Sequence, residues 1–304
     1  KLIKLSVTTS FLGKNLHRVI HCKFTEIVYN KKKKRGITMY KIDFLRPIQI
    51  HFIGIGGISM SSLAEILLHA GFRVAGSDNQ ESPLTQRLQQ LGATIYIGQS
   101  SEHISKQTEL VIYTAAIHSD NPELMQATRM NLPVLSRAEL LGQMMEHYPS
   151  SIAVAGTHGK TTTTSMISQI LIEANTDPTI SIGGILNLIN DNTRIGKSDY
   201  FVIESCEYTN SFFHFFPKYS VILNIEEDHL DFFKDLNDIR HSFQHYISNT
   251  KKEGVVIINS DIEQIEELTS QTDAQILKFG FLDSDDYQAR EIRFEYDCTY
   301  FQLW

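Results

Sequence analysis

The sequence predicts an α/β protein, a parallel, doubly wound first unit followed by a second α/β unit built around a phosphate loop, and three observations carry that prediction. From residue 48 onward, short apolar runs alternate with helix-length stretches that have an apolar face. Two glycine loops, Gly54-Ile-Gly56-Gly57 and Gly156-Thr-His-Gly159, each stand between an apolar run and such a stretch. Polar residues (Asp78, Glu204, Asn224) close several of the apolar runs, at the end of a parallel sheet where the ligand crevice opens.

Taken in order, residues 48–55 read as a strand, and residues 58–69 as a helix with Met60, Leu63, Ala64 and Leu67 along one face. Gly71 stops that helix, and strands are expected at 72–77, 93–97 and 110–114. Tyr148-Pro-Ser-Ser151 reads as a linker. A second alternating unit follows, with strands at 152–155, 199–203, 219–224 and 254–258 and helices at 161–174 and 235–248. The resulting division is a basic extension over 1–38, a first α/β domain over 39–149 and a second over 150–304.

Composition limits the function classes. The chain has 304 residues, 42% hydrophobic and 21% charged, enough to bury two cores. No run approaches the length of a membrane span. Cys22, Cys206 and Cys298 are odd in number and far apart, which fits neither a disulfide framework nor a zinc site and points to a reducing, cytoplasmic setting. Residues 1–38 hold ten Lys and Arg against one acidic residue, Glu26, whereas the remainder holds 18 basic and 34 acidic residues. The head ends in Lys31-Lys-Lys-Lys-Arg35, four residues before Met39; it reads as a read-through extension in preference to a targeting peptide or nucleic-acid arm. The acidic body argues against nucleic acid as a partner.

The loop Gly156-Thr157-His158-Gly159-Lys160-Thr161-Thr162 carries the sharpest chemistry. A tight glycine loop turns backbone N–H groups inward, and the following helix adds the positive end of its dipole, making a seat for phosphates. Lys160 would neutralise the outer phosphates and the Thr161 hydroxyl would help hold Mg²⁺. The general P-loop needs a glycine five residues before Gly159; that position is Val154, so this loop is a shorter variant. Gly54, Gly56 and Gly57, with Asp78 after the next strand, read as a Rossmann-like dinucleotide fingerprint whose third glycine is replaced by Ser59. A nicotinamide site, a bare strand–helix turn and a nucleotide-sugar site all remain open there, the last favoured by the second phosphate loop downstream. Glu204 ends an apolar strand and suits Mg²⁺, which takes hard oxygen ligands. Asn224, Asp228, His229 and Asp231 follow another strand, and a histidine flanked by acids near a phosphate loop is a metal or phosphate ligand candidate.

Together with Ser136-Arg-Ala-Glu139 and Glu204-Ser-Cys-Glu-Tyr208, these motifs resemble those of the Mur ligases over about residues 46 to 300. The resemblance implies an N-terminal Rossmann-like domain for the UDP-sugar, then a P-loop α/β central domain for ATP. It implies an ADP-forming ligase of peptidoglycan precursor synthesis, closest to the branch that joins L-alanine to the lactyl carboxylate of UDP-N-acetylmuramate through an acyl phosphate. In that reading Lys160, Glu204 and His229 are catalytic. Gly156 to Thr162 and Asn224 bind ATP; Thr161, Glu204 and His229 hold Mg²⁺; Gly54, Gly56, Gly57, Ser59 and Asp78 face the UDP-sugar. Glu207 matches a further family position. Residues Arg240-His-Ser-Phe-Gln-His245 lack the lysine that related ligases carry after the Asp-His motif, which fits the alanine branch. A peptide-recycling ligase of the same family, and an inactive nucleotide-sugar-binding fragment, are the alternatives. The family's third domain would lie beyond Trp304, so the sequence reading expects UDP-sugar binding without efficient ligation from residues 1–304. The oligomeric state does not follow from any of these motifs.

Overall fold

A computed structural model describes residues 5–6, 40–296 and 298–304. Apart from Leu5–Ser6, the basic extension lies outside the described residues. The strands are β1 (Leu5–Ser6), β2 (Gln49–Ile53), β3 (Arg73–Asp78), β4 (Thr94–Ile97), β5 (Leu110–Tyr113), β6 (Val134–Ser136), β7 (Ser150–Ala155), β8 (Thr179–Leu186), β9 (Asp191–Arg194), β10 (Tyr200–Ser205), β11 (Tyr219–Ile222), β12 (Val255–Asn259), β13 (Gln275–Gly280), β14 (Tyr287–Glu295) and β15 (Cys298–Leu303).

The first sheet has the order β4-β3-β2-β5-β6 and is parallel throughout. Its central strand explains the apolar run: Ile50, Phe52 and Ile53 are fully buried, as a strand covered on both faces must be. Helix Ile58–His69 covers it with Met60, Leu63, Ala64 and Leu67, the face read from the sequence.

The second sheet has the order β1-β15-β14-β13-β12-β11-β7-β10-β8-β9. Strands β8, β10, β7, β11, β12, β13 and β14 run parallel, but β9 pairs antiparallel with β8, and β15 antiparallel with β14 and β1. The second sheet is thus mixed, with antiparallel pairs at both edges of a parallel centre. The hairpin β8–β9 has no clean alternation, since Gly183 and Gly184 interrupt it, and it was not read from the sequence. The linker at 148–151 is corrected: Ser150 and Ser151 already pair with Tyr200 and Phe201 inside the sheet. Ser151 is fully buried, and its Oγ accepts from the Lys218 N–H at 3.1 Å, which satisfies a serine that composition alone assigns to a loop.

The topology places the site. β10 and β11 lie on either side of β7, so the chain reverses its direction of travel across the sheet at β7. At such a switch point the loops at the carboxyl ends part and leave a crevice. Helix Leu236–Ser248 holds this region by burying Ile239, Phe243, Tyr246 and Ile247. The buried Tyr246 hydroxyl lies 3.2 Å from Ser205 Oγ at the end of β10, and burial pushes the phenol up to about 12, so it acts as a neutral tether.

The two sheets are joined by packing and by polar contacts. Helix Arg137–His147 buries Leu140, Leu141, Met144 and Met145 in a core shared with Phe201, Phe212 and Phe215 of the second unit. Asn192 Nδ2 of β9 donates to Ser62 Oγ at 2.8 Å and to the Ile58 carbonyl at 3.2 Å, while Arg87 bridges Glu65 and Asp191. No described helix is long and apolar enough to cross a membrane.

A buried carboxylate sits within the first unit. Glu123 is fully buried and accepts from Ser77 Oγ at 2.6 Å, with His51 Nε2 at 3.0 Å and His103 Nδ1 at 2.7 Å. Burial pushes its pKa up, but hydrogen bonds from His51 and Ser77 and the nearby imidazoles outweigh it and hold the carboxyl below its ordinary value of 4.5. A group depressed in this way stabilises the fold fully above its unfolded pKa and loses that contribution as pH falls through its folded pKa. Stability should therefore decline below about pH 4.5. E123Q should cost about 1–3 kcal/mol at pH 7 and flatten the acid limb; denaturant unfolding at pH 7 and pH 4 measures both. An acid limb identical to that of the parent would remove Glu123 from the account.

Candidate active site

The phosphate loop leaves β7 at Ala155, and helix Lys160–Glu173 starts at its end. Gly159 is the N-cap residue with φ of 82°, a left-handed conformation that an L side chain adopts only under strain, so the glycine is required by the turn. The helix has no side-chain cap at this end, which leaves its first N–H groups free to receive an anion.

Two side chains hold the loop's shape. Asn224, just past β11, brackets His158: its Oδ1 accepts from the His158 N–H at 2.8 Å and its Nδ2 donates to the His158 carbonyl at 3.1 Å. Thr157 is buried and faces inward, with its Oγ1 accepting from the Glu226 N–H at 2.9 Å. Asn224 and Thr157 thus set the backbone that would receive phosphate. His158 is exposed, near Glu226 at 3.9 Å.

Lys160 folds back over the loop. Its Nζ donates to the carbonyls of Gly156 at 2.6 Å and Thr157 at 3.1 Å, and to both Glu207 oxygens at 3.2 and 2.9 Å. Glu207 is 2% exposed, so the ammonium is what makes its charge tolerable there. Glu207 is the residue whose weight the sequence understated. It lies three positions after Glu204, beyond the end of β10, and spacing alone does not reveal that its carboxylate meets Lys160.

The predicted metal ligands fall into two groups. Thr161 Oγ1 donates to Glu204 Oε2 at 3.1 Å, and the Gly183 N–H holds the other Glu204 oxygen at 2.9 Å. This hydroxyl–carboxylate pair beside the phosphate loop is the hard-oxygen donor set that Mg²⁺ takes. His229 belongs to a different cluster, its Nε2 3.8 Å from Glu207 and 3.9 Å from Asp228. The ligand atoms of Glu207, Asp228 and His229 all lie within 4.8 Å of one another, a spacing that fits a second cation. His229 has φ of 53°, and the backbone there is held by Asp228 Oδ1, which accepts from the His229 N–H at 2.7 Å. The Tyr208 ring lies 4.6 Å from the imidazole, and its hydroxyl donates to Asp231 at 2.8 Å.

In the first unit, Gly54 to Gly57 form the turn between β2 and helix Ile58–His69. The Gly56 N–H donates to Asp78 Oδ2 at 2.7 Å, and a Cβ on Gly56 would lie 2.8 Å from that oxygen, so the close approach demands glycine. Asp78 is thereby bound to the loop, with its Oδ1 accepting from the Asn79 N–H at 2.8 Å. Ser59 accepts from Arg137 Nη1 at 2.9 Å.

Both units of the chain are similar to known proteins. Residues 49–149 match the family described as Mur ligase family, catalytic domain, and residues 154–304 match the Mur ligase middle domain. A UDP-N-acetylmuramate–L-alanine ligase of Agathobacter rectalis is 58% identical over 257 residues, 84% of this chain and 56% of that protein. One from Lachnospira eligens is 54% identical over 265 residues, 86% of this chain and 58% of that protein. The chain spans about half the length of the curated relatives it matches. Among solved structures, the UDP-N-acetylmuramate–alanine ligase of Thermotoga maritima aligns with a TM-score of 0.67 at 30% identity, covering 81% of this chain and 55% of that one. The UDP-N-acetylmuramate:L-alanyl-gamma-D-glutamyl-meso-diaminopimelate ligase of Neisseria meningitides aligns with a TM-score of 0.75 at 27% identity, covering 85% and 84%. Matched in both units by models of one family, and carrying a short phosphate loop with a lysine–glutamate pair, a Thr161–Glu204 pair and a Glu207–Asp228–His229 cluster, the chain belongs to the Mur ligases.

Proposed function

We propose that this protein acts in the ATP-dependent joining of L-alanine to the lactyl carboxylate of UDP-N-acetylmuramate, with Mg²⁺ as the metal, in the cytoplasm. The observation that carries the reading is the crevice at β7, where Lys160, Thr161, Glu204, Glu207 and His229 converge around an uncapped helix N-terminus. In the first half-reaction a carboxylate oxygen attacks the γ-phosphorus of ATP, the bond to the β-phosphate oxygen breaks, and ADP leaves. The amine of alanine then adds to the acyl phosphate, loses a proton, and expels inorganic phosphate to leave the amide. Each step moves negative charge, and the chain's contribution is to neutralise and orient it. Lys160 stands where the outer phosphates would lie. The loop N–H groups and the helix dipole hold the nucleotide, while Thr161 and Glu204 fit one Mg²⁺. Glu207, Asp228 and His229 fit a second. Bound there, Mg²⁺ would supply electrostatic stabilisation of the transferring phosphoryl group.

The tripeptide-recycling reading draws support from the alignment to the Neisseria protein, but the identity above 50% to alanine ligases favours L-alanine. Incubation with Mg²⁺, ATP, UDP-N-acetylmuramate and either L-alanine or the tripeptide, with product mass as readout, separates the two. Amide formed only with the tripeptide would move the assignment to the recycling branch. Binding of both nucleotides with no amide would favour a nucleotide-sugar-binding role.

A further inference from the structure

The motif Ser136-Arg-Ala-Glu139 has a structural half and an unexplained half. Ser136 and Glu139 form a capping box for helix Arg137–His147: Ser136 Oγ accepts from the Glu139 N–H at 3.2 Å, and Glu139 Oε2 accepts from the Ser136 N–H at 2.7 Å. This fixes Arg137 as the first helical residue. A cation there opposes the helix dipole, so helix stability does not account for the arginine.

Its surroundings do not account for it either. The Arg137 side chain is half-buried, its Nη1 donates to Ser59 Oγ at 2.9 Å, and no carboxylate pairs with it among the described residues. A guanidinium has five N–H donors, and the contact to Ser59 engages one of them among the described residues. Burial pulls its pKa down, and the nearby Cys206 acts in the opposite direction. Arg137 thus stands at the carboxyl end of β6, in contact with Ser59 next to the first glycine loop, on a helix that packs against the turn Tyr208–His214 following Glu207. A half-buried cation with no carboxylate partner among the described residues, set beside a glycine loop, is costly unless an anion completes it.

We propose that Arg137 binds the lactyl carboxylate of the nucleotide sugar, holding it between the first glycine loop and Lys160. The inference rests on the function proposed above. A planar fork matches a carboxylate through two parallel hydrogen bonds. The UDP diphosphate would take the free N–H groups at the start of helix Ile58–His69, whose N-cap Gly57 carries no side-chain cap. Arg137 meets the first turn of that helix at Ser59, so the test has to separate the carboxylate from the diphosphate.

The test compares UDP-N-acetylmuramate with UDP-N-acetylglucosamine, the same nucleotide sugar without the lactyl ether, by titration calorimetry on this chain. R137M should weaken binding of the acid about tenfold or more and leave the neutral sugar within about twofold. R137K, which keeps charge but not the fork, should recover part of the loss. ADP affinity and the unfolding midpoint verify that each variant is folded; should R137M fail to fold, R137K alone must show the selective loss. Equal weakening of both sugars would assign the guanidinium to the diphosphate and overturn the proposal, as would no weakening of either. A parent protein that binds ADP yet shows no preference for the acid would overturn the functional reading along with it.

Discussion

Lys160→Ala should reduce ATP-dependent phosphate release by about 10³-fold or more, and it should also destabilise the protein. The two effects have different origins. Catalytic loss follows from removing the only side-chain cation among the described residues that is hydrogen-bonded to the loop, at Gly156 and Thr157, where phosphates would sit. Destabilisation follows from Glu207, which is 2% exposed and has Lys160 at 2.9 Å; leaving that carboxylate unpaired costs about 3–5 kcal/mol. The double variant K160M/E207Q removes both charges together. It should recover most of the stability, as buried pairs replaced as a unit usually do, without recovering turnover. Chemical unfolding and a phosphate-release assay read the two quantities separately. Near-parental phosphate release by K160A would refute the assignment of the loop, and undiminished stability would show that Glu207 is satisfied without Lys160.

Element by element, what the sequence disclosed depended on whether the signal was local. The helix at Ile58–His69 and the phosphate loop were legible because each rests on residues adjacent in the chain: a 3.6-residue apolar stripe, a glycine at a left-handed position, a lysine at the helix start. The edge hairpin β8–β9 was not, because Gly183 and Gly184 break the alternation that marks a strand, and its pairing is settled by contacts with β10 and with Ser62. The same rule governs the site. Glu204 could be placed from its strand end, but the partition of the ligands into a Thr161–Glu204 pair and a Glu207–Asp228–His229 cluster depends on how three loops converge around β7. Asn224 read as a nucleotide contact; the structure adds its grip on both sides of His158, a role visible only across the 66 residues that separate them.

Glu204→Gln should weaken Mg²⁺-dependent nucleotide binding by more than the roughly 10–100-fold that loss of an outer-sphere partner costs. Mg²⁺-free ADP affinity should hold. Glutamine keeps the shape and an oxygen that can accept from the Gly183 N–H, which meets Glu204 Oε1 at 2.9 Å, so the strand end should stay folded. What it loses is the negative charge that a hard dication needs. Thr161→Val should produce a smaller loss of the same kind, since the hydroxyl is a weaker ligand than a carboxylate, and Thr161→Ser should be close to the parent. Because Thr161 and Glu204 already meet at 3.1 Å, a shared ion makes their losses non-additive: the double variant should lose less than the sum of the two. Titrating Mg²⁺ into the ADP-bound protein checks each value. Strict additivity would place the two side chains on different ions, and an unchanged Mg²⁺ titration for E204Q would move the metal to the Glu207–Asp228–His229 cluster. There it would have to compete with the Lys160 ammonium for Glu207, a competition that K160A would relieve and that E204Q would leave untouched.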